Sequence, residues 1–370
     1  GLLDSENKGI FDDRIEKAVQ PYLLDPKHVA QDLKAVDELD CGDGETFSRS
    51  YYRYDKIVEA LERIAEPSVK SFRWNQCYQW ALEEVKQEFS RANLRMLLFS
   101  TDQDVAENLP KTSTHSGLTF LITGEKDKGS NIEGLCQRML TLEDEARLTG
   151  NFGIPILIAH RTQGSAHDEM SGEILEEGKH KTRMVCIVDL TVIAIELKFA
   201  KPLQEYLSQN VGWYSGGKSP AELRARVRRG LSLSKFWYSL DYSSYDQTIS
   251  DWMIEDAFDV IASAFNFRNE DERNLLKIIC DSFIHKDFLV QGYKTVKADK
   301  GVASGSMFTQ MVDSIVNRIM ILTYLRSKHP RVLGGKDGHI SNIMGDDHQI
   351  TMVEPLDLHD LSGYLLRNFG

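Results

Sequence analysis

The chain has 370 residues, 41% of them hydrophobic, which is enough for large cores and leaves room for two interleaved subdomains. Its net charge of −12 argues against general binding of nucleic acid over the whole surface. No apolar run reaches the ~18 residues that span a bilayer, nothing resembles a signal peptide, and five scattered cysteines without paired spacing indicate neither a disulfide framework nor a zinc site.

The N-terminal third is helical in pattern and chemically quiet. Ile57, Val58, Leu61 and Ile64 make one amphipathic stripe ended by Pro67, and Trp80, Leu82, Val85 and Phe89 mark the next helix. Ser113-Thr-His-Ser-Gly117 is a small-residue loop ahead of apolar Phe120-Leu121-Ile122. Residues 154–159 read as a strand ending at His160-Arg161, and His167-Asp168-Glu169 reads as a solvated loop. Lys179, Lys181 and Arg183 then alternate at period two, which puts three cations on one side of an extended strand. That pattern suits either a charged edge protected against aggregation or a wall facing phosphates. From 179 to 235 there are 11 Lys and Arg against 4 Asp and Glu, a local +7 that leaves the remainder at −19. Within this stretch a long apolar-rich helix is expected over 190–207. Gly216-Gly217-Lys218-Ser219-Pro220 breaks it, and Arg224, Arg226, Arg228 and Arg229 follow on a short helix, as a solvated face or a polyanion contact.

The C-terminal third carries the chemistry. Residues 236–240 are aromatic-rich, read as a well-buried strand, and deliver Asp241 at the start of Asp241-Tyr-Ser-Ser-Tyr-Asp246. Trp252, Ile254, Ala257, Phe258, Ile261 and Phe265 build a helix expected to pack under that strand's sheet, and 288–296 form a hairpin around Gln291-Gly292. Ser304-Gly305 is a turn in which glycine permits close backbone approach. It precedes a helix over 308–325 whose apolar face is Phe308, Met311, Val312, Ile315, Val316 and Ile319. Thr309, Asp313 and Asn317 form a separate polar stripe at spacing i, i+4, i+8. Two strands are expected at 340–344 and 349–353, with Gly345-Asp346-Asp347-His348 as the tight turn between them, and a last helix over 356–369. Carboxylates exposed at a strand end and a hairpin tip are suited to hard divalent ions. Hydrogen-bonding groups beside them are suited to a sugar hydroxyl, which both donates and accepts.

These three strings, in this order, resemble the catalytic palm of viral RNA-dependent RNA polymerases, closest to those of picobirnaviruses and partitiviruses, which have double-stranded RNA genomes. The resemblance covers 113 to the C-terminus. It implies an α+β right-hand fold with helical fingers and a ferredoxin-like palm built on an antiparallel sheet. The expected division is fingers over 1–190, palm over 191–265, a fingers insertion over 266–300 and palm again over 301–370. Both ends look cut, so the thumb and the lysine of a later palm segment are expected to lie beyond the chain. By the resemblance, Asp241 and Asp346, assisted by Asp347, hold two Mg²⁺ or Mn²⁺ ions and are catalytic. Asp246, Ser304, Gly305 and Thr309 contact the nucleotide, and Asp313 and Asn317 are the candidates to complete the sugar-sensing network. Relatives commonly carry asparagine where this chain has Asp313, so which of the two does so stays open. Lys179, Lys181, Arg183 and Arg161 line the nucleotide path, and Ser113 and Gly117 the template path. RNA template and product and nucleoside triphosphates are the implied partners, a viral capsid protein is a further one, no membrane is expected, and the virion interior or host cytoplasm is the implied location. Two rivals remain. A reverse transcriptase would place an aromatic steric gate where this chain offers Asp246, and a non-enzymatic RNA-packaging protein would need no convergent carboxylates.

Overall fold

The computed structural model describes residues 45–49, 54–110, 113–120, 127–162, 164–168, 182–290, 294–335 and 338–370. In chain order the elements used below are β1 (Glu45–Arg49), α1 (Tyr54–Ala65), α2 (Gln76–Ser90), α3 (Asp102–Asn108), α4 (Leu135–Thr149), β2 (Ile156–Thr162), β3 (Gly164–Asp168), β4 (Thr182–Ile187) and α5 (Leu190–Asn210). There follow α6 (Pro220–Leu233), β5 (Phe236–Leu240), α7 (Tyr245–Thr248), α8 (Asp251–Ser263), α9 (Glu270–Ile284), β6 (Lys286–Val290), β7 (Lys294–Ala298), α10 (Thr309–Lys328), β8 (His339–Met344), β9 (Asp347–Met352) and α11 (Leu358–Phe369). The fold is mixed α+β, and among the described residues no helix is long and apolar enough to cross a membrane.

The chain divides into two units, one formed by 1–62 with 159–185 and the other by 63–158 with 186–370. In the first, β1 pairs antiparallel with β3, from Glu45 opposite Asp168 to Arg49 opposite Gly164. The second holds the core. There α10 packs along α2, which presents Tyr78, Ala81, Val85 and Phe89 at helical spacing, and α8 closes the same layer against α2 and α10. The expected packing of α8 under the sheet is therefore replaced by packing on helices, because its apolar residues Trp252, Met253, Ile254, Ala257, Phe258, Val260 and Ile261 surround it too widely for a single sheet face. Where α2 meets α8, Tyr78 donates to Asp256 at 2.7 Å, and Arg73 bridges the same carboxylate at 3.0 Å.

The antiparallel sheet of this unit has the order β5-β9-β8. Its central strand β9 buries His348, Ile350, Thr351 and Met352, whereas β5 is an edge and Trp237 on it is 51% exposed. The expectation of a well-buried strand at 236–240 is corrected: an apolar run cannot distinguish a central strand from an edge. The opposite edge is covered where Ser215 donates to the Ile343 carbonyl and Ile343 to that of Trp213, both at 2.8 Å. A second sheet joins β2 to β6 in parallel, Ile156 opposite Phe288, and β6 to β7 antiparallel. β4 lies beside β2 in its strand order. The strand expected to stop before His160-Arg161 runs through both residues.

Candidate active site

Strand register brings the acidic residues together. β5 and β9 pair with Leu240 opposite His348, so Asp241, one residue on, comes level with Asp347, one residue back. Met344 pairs with Asp347, which leaves Gly345 and Asp346 as a two-residue hairpin loop. The turn is thus shorter than the four residues expected, and Asp347 and His348 belong to β9. Glycine at the first loop position adopts φ +67°, which a two-residue hairpin turn of this kind demands and a side chain resists. The Asp347 carboxyl is held above the ordinary carboxylate range by burial, then by the negative charges of Asp346 and Asp241. Mutual repulsion of this kind is what a divalent cation relieves, and oxygen donors of this charge suit a hard ion. Among the described residues no three His, Cys, Asp or Glu side chains already converge as a ready cage.

The polar stripe of α10 faces inward: Asp313 is 3% exposed and Asn317 fully buried. Asn317 Nδ2 donates to the carbonyl oxygens of Gly345 and Asp346 at 3.0 and 3.2 Å, and Oδ1 lies 3.3 Å from Tyr242 Oη and 2.9 Å from His348 Nδ1. Ser314 Oγ accepts from the Gly345 N–H at 2.9 Å. One turn of α10 therefore grips the backbone of the acidic hairpin. Asp313 instead hydrogen-bonds the Asp246 carboxyl. Its own carboxyl is pushed well above the ordinary range by burial first, then by the charges of Asp246 and Asp346. Tyr245 Oη donates to the Asp313 carbonyl at 3.0 Å, and Thr309 Oγ1 to the Ala303 carbonyl at 2.5 Å.

Asp246 is fixed through its backbone. Ser244 adopts φ +57°, unusual without glycine, and Arg63 donates to its hydroxyl and to Gln247 Oε1 at 3.2 Å. The Asp246 carbonyl accepts from Val302 N–H at 2.6 Å. At the next turn, Ser304 Oγ accepts from Cys186 N–H at 3.0 Å, and a Cβ on Gly305 would stand 2.3 Å from the Cys186 carbonyl oxygen. Glu196 of α5 completes this turn, accepting from Ser306 Oγ and Met307 N–H, each at 2.8 Å. Burial raises its carboxyl to about 7. Lys286 is buried and donates to the carbonyls of Phe283, Ile284, Lys300 and Gly301 at 2.8–3.1 Å, anchoring the segment that leads to Val302.

The remaining expected residues fall elsewhere. Gly117, at φ +102°, sits where a Cβ would lie 2.5 Å from Asp189 Cα, and Ser116 accepts from Leu190 N–H at 2.7 Å, so this loop docks on the start of α5. Ser113 is exposed at the loop's outer end. Arg161 on β2 and Arg183 on β4 are exposed side chains of the smaller unit. Lys179 and Lys181 lie outside the described residues. Of the four arginines on α6, Arg226 turns inward and donates to Asn342 Oδ1 at 2.9 Å, while Arg224, Arg228 and Arg229 stay exposed. Sequence reasoning passed over Ser314, His348, Glu196, Lys286 and Arg63. For His348 a signal was present: it shares period two with Ile350 and Met352, the buried face of β9.

The profile of a family described as viral RNA-dependent RNA polymerase matches residues 45–365. An RNA-directed RNA polymerase of Cryptosporidium parvum virus 1 (strain KSU-1) is 27% identical over 156 residues. That stretch is 40% of this chain and 28% of the relative's length.

Proposed function

Because the chain belongs to the viral RNA-dependent RNA polymerase family, we propose that it carries out template-directed RNA synthesis for viral genome replication and transcription, transferring nucleotidyl groups from nucleoside triphosphates to an RNA 3′-hydroxyl. The alignment of Asp241 with Asp347 across β5 and β9, next to the Asp346 turn, is the observation that supports this reading most. Bound by these three carboxylates, Mg²⁺ or Mn²⁺ ions, two of them in this reading, would supply activation of the attacking oxygen and neutralisation of the leaving phosphates. The residues around them have separable tasks. Asn317 and Ser314 keep the hairpin in place, Asp246 and Asp313 face the sugar of the incoming nucleotide, and Ser304, Gly305 and Thr309 shape the turn against which it lies. Arg161, Lys179, Lys181 and Arg183 neutralise the triphosphate, and Ser113 and Gly117 border the template. In this reading 191–265 and 301–370 form the palm, and 1–190 with 266–300 the fingers. A viral capsid protein as partner and the virion interior or host cytoplasm as location belong to the same proposal.

Primer extension tests it, comparing ribo- and deoxynucleotides on RNA and DNA templates, with Asp241→Asn as control. Ribonucleotide incorporation on RNA that this variant abolishes is the expected result. Preference for deoxynucleotides would favour a reverse transcriptase, and RNA binding without incorporation a packaging protein.

A further inference from the structure

His348 follows the acidic hairpin directly, is 1% exposed, and has both ring nitrogens engaged. The geometry fixes which nitrogen carries the proton. Asn317 Nδ2 faces two carbonyl oxygens, which only accept, so the amide oxygen is the atom that faces His348 Nδ1. An amide oxygen cannot donate. Nδ1 must therefore be the protonated nitrogen, and in a neutral ring Nε2 is then a bare acceptor. It lies 2.9 Å from Ser341 Oγ, whose hydroxyl donates a hydrogen bond to it, and Ser341 Oγ in turn accepts from Arg318 Nη1 at 3.2 Å. Each hydrogen bond that links Arg318, Ser341, His348, Asn317 and the Gly345-Asp346 backbone is thus assigned a direction, and no donor meets a donor along it.

Ser341 agrees with a bare Nε2: its oxygen meets a donor in Arg318 Nη1, so of these two partners Nε2 is the one that can accept its hydroxyl hydrogen.

We infer that His348, in its Nδ1-protonated form, is a positioning residue that locks the Asn317 amide and through it the backbone carrying Asp346. The inference rests on the reading of Asp346 as a metal-binding carboxylate, and it assigns the hairpin's rigidity to a side chain outside the acidic motif. Held ligands lose less freedom when an ion binds, and removing such an outer partner typically costs about 10- to 100-fold in metal affinity or activity.

The experiment has a spectroscopic arm and a kinetic arm. In ¹⁵N-histidine-labelled chain, the resonance lost in His348→Asn identifies the residue, and its Nδ1 is expected to be pyrrole-like and its Nε2 pyridine-like. In the kinetic arm, His348→Leu should lower kcat about 10- to 100-fold and weaken Mn²⁺ binding, followed by water-proton relaxation, to a similar degree, with nucleotide KM within about twofold. His348→Asn retains a donor near the Nδ1 position and should recover most of the loss. Should His348→Leu fail to fold, Ser341→Ala replaces it: losing the hydroxyl that donates to Nε2 leaves the Nδ1–H bond to Asn317 as the ring's remaining anchor in this series, so the tautomer should be unchanged while Mn²⁺ binding weakens several-fold. An Nε2-protonated ring overturns the inference. So does wild-type Mn²⁺ affinity in His348→Leu, or a His348→Asn chain that melts like wild type yet performs no better than His348→Leu. If Asp241→Asn synthesises RNA normally, the polymerase reading fails instead, while the tautomer still decides the series of hydrogen bonds.

Discussion

The carboxyl groups of Asp313 and Asp246 share a hydrogen bond, and two carboxyls can do so only when one of them carries a proton. The buried Asp313, raised well above the ordinary range, is the group that keeps it. A protonated carboxyl presents to Asp246 one donor, as an asparagine amide would, so the position that departs from the commoner pattern can retain its hydrogen bond.

The sign of the resulting pH dependence follows from linkage. Unfolded, Asp313 loses its proton near pH 3.9, whereas the folded chain keeps it to higher pH, so folded stability falls as pH rises from about 4. Asp313→Asn cannot lose a proton. Measured without metal, the melting temperature of Asp313→Asn relative to wild type should therefore be lowest near pH 4 and climb towards pH 8. A difference that is flat with pH would show that Asp313 ionises normally. The variant should also keep the preference for ribonucleotides, which Asp246→Ala should relax in kcat/KM.

For the acidic centre, Asp241→Asn and Asp346→Asn remove charge without changing shape. Each should lower kcat at least ~10³-fold while leaving RNA affinity nearly unchanged. Binding titrations beside single-turnover rates check both halves. Manganese should rescue Asp347→Asn more readily than either, and ordinary turnover by either of the first two in Mg²⁺ would remove them from the site.

Arg183, exposed on β4, is read as a triphosphate contact. A side chain with that task should raise nucleotide KM or lower kcat when cut to alanine, whereas a template contact should weaken RNA binding and flatten its salt slope by about one unit. The expected outcome for Arg183→Ala is the first. Filter binding across a salt series distinguishes them.

What was legible in the sequence was local or periodic. The apolar face of α10, the hairpin around Asp346 and the strand before Asp241 could be read from spacing and residue type, because each is written within about 20 consecutive residues. What failed was partnership across the chain. Asn317 and Asp313 look alike as polar positions on one stripe, yet one grips the Gly345-Asp346 backbone and the other meets Asp246, and only the placing of two distant segments decides which does which. β5 was misjudged for the same reason, since being an edge is a property of the sheet. Glu196 was invisible as one carboxylate in an apolar-rich helix, and Lys286 as one member of the polar run His285-Lys286-Asp287; each is given meaning by groups it satisfies in distant segments.

Lys286 makes that dependence measurable. Lys286→Met keeps the stem's length and removes the donor, leaving up to four carbonyls of two segments without it. The cost should be about 3 kcal/mol of stability, from buried acceptors left unmade. Urea unfolding checks it, and a change below about 0.5 kcal/mol would mean that water replaces the ammonium group.

Gly305 is the sharpest steric test of the nucleotide turn. Its φ is ordinary, so conformational freedom is not what glycine supplies; the space is. A Cβ there would meet the Cys186 carbonyl oxygen at 2.3 Å and Val188 N at 3.1 Å, both backbone atoms with no flexible end to swing away. Ser304 is tied to Cys186 N–H on the same segment, so the turn cannot retreat without breaking that bond. Gly305→Ala should then cost about 1–3 kcal/mol by overpacking and displace the turn from the strand end, raising nucleotide KM more than RNA affinity changes. Ser304→Ala loses one hydrogen bond without adding bulk and should cost about 1 kcal/mol. The order of the two, read from urea unfolding and nucleotide KM together, is the check: if Ser304→Ala proves the more damaging, the turn is held by its hydrogen bond and not by close approach of backbone to backbone.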